Sequence, residues 1–139
     1  MIIFEILGNP VPQGRPRFVR MGKFTKAYDP KESQVWKDNI RAQAIAFINQ
    51  NHPDWKPLDG ALVLNCQFHL SRPASISEKK RPFPIVKPDL DNLLKAVKDA
   101  LKGILWHDDS QVVKIEAEKE YNGRPGVIIS LTLKPLSGR

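Results

Sequence analysis

Residues 87–113, KPDLDNLLKAVKDALKGILWHDDSQVV, constrain this chain more than any other stretch. Leu90, Leu93, Leu94, Val97 and Leu101 recur at helical spacing and give one apolar stripe. Pro88 precedes the segment and Gly103 follows it, which are start and stop signals for a helix. Asp89 and Asp91 lie at its beginning. Asp108 and Asp109 lie just beyond its end, before a run of strand-like alternation.

Each acid has a structural explanation. Asp89 at the helix start can cap a free N–H, worth roughly 1 kcal/mol. Asp91 complements the helix dipole and can pair with Lys95, four residues on, for about 0.3–0.5 kcal/mol. The second acidic pair adds another possibility. If the turn through Leu105 and Trp106 returns it to the helix start, three or four carboxylates share a small volume. Their pKa values then rise, or a cation sits among them. Carboxylates without a cysteine or histidine cluster suit a hard ion such as Mg²⁺.

At 139 residues the chain is expected to form one domain, residues 1–139. No apolar run reaches bilayer length, and MIIFEIL lacks the flank and cleavage site of a signal peptide, so no membrane span and a cytoplasmic location are expected. A lone cysteine, Cys66, excludes an internal disulfide and is read as a buried thiol. His52, His69 and His107 match no zinc spacing and are read as surface residues.

The net charge of +7 suggests a polyanionic partner. Residues 10–28 hold Arg15, Arg17, Arg20, Lys23 and Lys26 and no acid. Residues 71–88 hold Arg72, Lys79, Lys80, Arg81 and Lys87 against Glu78. Both segments read as flexible basic loops, and Phe18, Phe24 and Tyr28 interleave the first as stacking surfaces or anchors. Arg15, Arg17, Arg20, Lys23 and Lys87 are the expected DNA-contacting residues, gripping phosphate rather than reading bases.

Residues 2–7 and 61–70 read as strands. Asp29-Pro30-Lys31-Glu32 reads as a capped helix start, with Pro30 as the first helical residue and a helix to about Asn49. Its buried face is Trp36, Ile40, Ala44, Phe47 and Ile48. Residues 111–121 alternate as a half-exposed strand, and Asn122-Gly123-Arg124-Pro125-Gly126 reads as a hairpin turn before an antiparallel return. The expected fold is α+β, a small mixed sheet with two main helices in the order β-α-β-α-β-β.

The pattern K-P-D-L-D-N-L-x-K-x-x-x-D-A-L followed by W-x-D-D-S-Q-V-V resembles the signature of the RusA family of Holliday-junction resolvases, phage and prophage endonucleases. The likeness is tight over residues 87–113 and looser from the first strand through the first helix. It implies a RusA-like fold and a homodimeric, Mg²⁺-dependent endodeoxyribonuclease, with Mn²⁺ as a possible substitute. It also implies paired symmetric nicks in a four-way DNA junction during recombination or repair. By position, it assigns metal binding to Asp89, Asp91 and Asp109, and catalysis to these acids with Lys95. Asp108 ranks below Asp109. Where the best-known member carries arginines before the first aspartate, this chain has Ile85-Val86-Lys87-Pro88. The other readings are a non-catalytic branched-DNA-binding module and a Mg²⁺ nuclease acting on flaps or single strands.

Overall fold

Leu62, Leu64, Cys66 and Phe68 alternate along one strand and are all fully buried, which makes this strand the axis of the sheet. The computed structural model describes residues 1–14, 17–22, 24–28 and 30–136, with 17–21 and 24–28 described by backbone alone. The elements are β1 (Ile2–Leu7), β2 (Arg17–Met21), β3 (Phe24–Tyr28), α1 (Lys31–Asn51), β4 (Leu62–Leu70), α2 (Leu90–Leu101), a 3₁₀ turn (Asp109–Gln111), β5 (Val112–Tyr121) and β6 (Gly126–Leu133). The fold is α+β, with a mixed four-stranded sheet and two helices.

The sheet order is β1-β6-β4-β5, so β4 separates β5 from β6. The expected β5–β6 hairpin therefore does not form. β5 runs parallel to β4, while β6 runs antiparallel to both β4 and β1. A parallel neighbour needs a crossover, which the 71–111 segment with α2 supplies. The Asn122–Pro125 turn then steps over the end of β4. Asn122 N–H bonds Leu70 O at 2.9 Å, and Gly8 N–H bonds Pro125 O at 3.2 Å.

β2 and β3 form a separate antiparallel hairpin where the sequence reads as a loop. Gly22 at its tip has φ +61°, a conformation that a glycine adopts at little cost. In α1, Pro30 is the N-cap rather than the first helical residue. The capping box expected from Asp29 lies outside the described residues.

The core lies between one sheet face and the two helices. Ile2, Phe4, Ile6, Val127, Ile129 and Leu131 meet Trp36, Ile40, Ala44 and Ile48 of α1, together with Leu93, Val97 and Leu101 of α2. Each large apolar side chain fully buried in this way stabilises the fold by about 1.5–3 kcal/mol before the entropy cost. Gly103, at φ +85° just after α2, lets the chain turn back into Leu105 and Trp106, both fully buried. That turn delivers the 3₁₀ segment and Asp109 beside α2. Burial pushes the Cys66 thiol up to about 12, as expected for a thiol facing the core.

Two histidines depart from the surface reading. His69 is 7% exposed and sits 3.1 Å from Glu120. His52 ends α1 and packs between the rings of Phe47 and Trp55. His107 is exposed as expected, 3.0 Å from Asp59. Among the described residues no helix is long and apolar enough to cross a membrane.

Candidate active site

Asp89 is the N-cap residue of α2, yet its side chain makes no capping hydrogen bond. Its carbonyl receives the Leu93 N–H at 3.1 Å, so the backbone starts the helix and the exposed carboxylate is left over. The capping explanation for this acid therefore fails. Asp91 lies one position into the first turn and is exposed. It forms no ion pair with Lys95, so of its structural explanation only the helix-dipole part stands.

The approach to Asp89 is fixed from β5. Lys119 Nζ donates to Val86 O at 2.9 Å and to Pro88 O at 2.8 Å. The rest of the 71–88 segment is tied down too. The Arg72 guanidinium lies 4.2 Å from the Tyr121 ring centre and donates to Arg81 O, while Arg81 reaches Tyr121 OH at 3.4 Å. This basic segment is anchored to β5 rather than being a flexible arm.

Asp109 opens the 3₁₀ turn and is half-buried. The fully buried Trp106 donates its indole N–H to Asp109 Oδ1 at 2.8 Å. Asp108 is spent on the turn itself. Its Oδ1 accepts the Ser110 N–H at 2.9 Å, and Gln111 Oε1 accepts the N–H groups of His107 and Asp108. The Ser110 hydrogen bonds hold the Asp108 carboxyl below its usual pKa. The acid ranked lower is thus a capping residue.

Two neighbouring clefts share Gln13. One, of about 690 Å³, is lined by Pro12, Gln13, Lys87, Pro88, Asp89 and Asn92. The other, of about 400 Å³, is lined by Gln13, Lys95, Lys98, Asp99 and Asp109. The structure thus places Lys95 with Asp109, and Asp89 with Lys87. Asp91 precedes Lys95 by four residues and shares its helix face.

Asp89 and Asp109 line different clefts, which meet at Gln13. Among the described residues no three His, Cys, Asp or Glu side chains gather as a metal-holding group. The oxygen donors still suit a hard ion. Mg²⁺ is commonly held by one or two carboxylates, waters and substrate phosphate, without a protein cage.

Both basic segments begin or end at this site. Gln13 N–H bonds Asn92 O at 2.9 Å, and Gly14 N–H bonds Ser33 Oγ at 3.3 Å. The β2–β3 hairpin, whose backbone carries Arg17 and Arg20, departs from this pinned root. The side chains of Arg17 and Arg20, together with Arg15 and Lys23, lie outside the described residues. Lys87 is exposed on the cleft of Asp89.

Sequence reasoning missed Trp106, Lys119, Gln13 and Asp99. Two signals were present. Trp106 stands three residues before Asp109, and Lys119 falls on the inward phase of β5 with Ile115 and Ala117.

Unused carboxylates, a lysine on the same helix face and basic segments at both margins define a site suited to a phosphate-bearing substrate. The family model described as endodeoxyribonuclease RusA matches residues 8–132. The chain is 34% identical, over 140 residues covering 94% of each chain, to the uncharacterized protein YqaN of Bacillus subtilis (strain 168). The chain belongs to the RusA endodeoxyribonuclease family, which makes it a nuclease.

Proposed function

We propose that this chain, acting as a single domain within a homodimer, is a divalent-metal-dependent endonuclease that cuts four-way DNA junctions by paired nicks. The observation that carries the reading is Asp89, a carboxylate at a cap position that caps nothing. Asp89, Asp91 and Asp109 are the acids that would supply the ion's protein ligands, one or two at a time, with waters and substrate phosphate completing its shell. A bound Mg²⁺ would supply an activated water and offset charge on the scissile phosphate, with Mn²⁺ as a substitute.

The chain's own residues do the rest. Trp106 orients Asp109 before substrate arrives, which removes a reorganisation cost at the moment of reaction. Lys95 faces the cleft of Asp109 and balances charge on the phosphate or on the departing oxygen. Lys87 and the hairpin arginines Arg15, Arg17 and Arg20, with Lys23, grip flanking phosphates. Two sites in one dimer provide the two nicks that symmetric resolution requires.

The test is a panel of end-labelled four-way junction, flap, Y-form, single-stranded and linear duplex DNAs, each with Mg²⁺, Mn²⁺ or chelator. The expected result is symmetric nicking of the junction with either ion and none with chelator. Preferred cutting of flaps or single strands would replace the junction by those substrates. Junction binding without cutting at any ion concentration would make the chain a binding module.

A further inference from the structure

Lys37 is 1% exposed, although it is a lysine, and lies on the core side of α1. Its Nζ donates to Asp99 Oδ2 at 2.8 Å, while the Asp99 side chain remains 54% exposed. The pair therefore runs from the core to the wall of the cleft that holds Lys95 and Asp109. Buried ion pairs seldom stabilise a fold better than apolar side chains of similar volume. A function for the exposed end of this one follows from where it lies.

Lys95 stands four residues from Asp91 on one side and four from Asp99 on the other, so both acids are its helix-face neighbours, and in the absence of ion and DNA it is ion-paired with neither. Pairing with Asp91 would occupy a carboxylate needed for the ion. Asp99 Oδ1 bonds no other described residue. Resting on the nuclease reading, we propose that Asp99, clamped by buried Lys37, is a positioning residue that draws the Lys95 ammonium toward Asp109 and away from Asp91. The clamp fixes Oδ2, and Oδ1 is the competing anion. Asp91 stays available, and Lys95 is presented to the phosphate from a constant direction.

Asp99→Asn keeps an oxygen for Lys37 and removes the charge offered to Lys95. In the full-length dimer with Mg²⁺ and a four-way junction, kcat should fall about 10- to 100-fold with KM unchanged, the scale of a misplaced catalytic group. The loss should vanish when the substitution is made on a Lys95→Ala background. In isotope-labelled protein without metal or DNA, the Lys95 ε-carbon resonance should shift on Asp99→Asn. An equal loss of kcat on the Lys95→Ala background, or an unmoved Lys95 resonance, would overturn the proposal. If Asp99→Asn does not fold, Lys37→Gln combined with Asp99→Asn gives an uncharged pair for the same readouts. Wild-type protein that cuts no DNA would instead overturn the nuclease reading, and the resonance would still decide the role of Asp99.

Discussion

Trp106 and Asp109 are joined by a 2.8 Å hydrogen bond from a fully buried indole to a half-exposed carboxylate three residues later. The indole is core on every side but this one, so the hydrophobic interior itself aims the acid. Removing the donor while keeping an aromatic ring tests this. Trp106→Phe should lose about 1.5–3 kcal/mol of stability, the worth of a hydrogen bond to a charged group. Cleavage should fall by a larger factor than junction affinity. Thermal unfolding and single-turnover kinetics read the two effects separately.

Lys119 does for Asp89 what Trp106 does for Asp109, through the chain that leads to it. Lys119→Met keeps the aliphatic stem and deprives Val86 O and Pro88 O of their donor. The expected cost is about 1–3 kcal/mol in urea unfolding, with slower cleavage. Lys114→Met, at an exposed position on the same strand, should stay within about 0.5 kcal/mol of wild type. Equal effects of the two would remove Lys119 from the site.

Replacing Arg15, Arg17 and Arg20 together by Gln should weaken junction binding and flatten its salt dependence. Each lost phosphate contact lowers the slope of log K against log salt by about 0.9. An unchanged slope in a binding titration would take the hairpin out of the DNA interface.

Burial disfavours the Cys66 thiolate, so the native thiol should resist alkylation at pH 8 and react on unfolding. Its folded pKa, about 12, lies above the 9.0 usual for a free thiol. The protonated thiol's contribution to stability is thus full below pH 9 and is lost as pH rises toward 12. Rapid native labelling would place Cys66 at the surface.

Much of this was legible in the sequence. The 3.6-residue stripe of α2, its glycine stop, the alternation of β1 and β4 and the buried face of α1 all stand as the sequence implies. Pairing was not legible. The alternation in residues 112–133 is the same whether β5 and β6 are neighbours or flank β4, because a strand pattern records faces and not partners. The β2–β3 hairpin was obscured by arginines and lysines, although RFVRM and FTKAY around Gly22 carry a hairpin signal. At the site, D-x-D and D-D mark acids without showing which ones the backbone consumes. Only the geometry shows Asp108 capping the 3₁₀ turn while Asp89, at a cap position, remains unbonded. Lys37, Asp99 and Lys119 were hidden because single charges inside apolar patterns read as surface.

The measurement that bears most directly on the account is single-turnover cleavage of a labelled four-way junction in Mg²⁺ by wild type and Asp91→Asn, with binding followed in parallel. Wild type should nick opposing strands. Asp91→Asn should leave the junction intact while binding it at least as tightly, since a carboxylate that repels phosphate has gone. An Asp91→Asn protein that cuts at the wild-type rate would contradict the account.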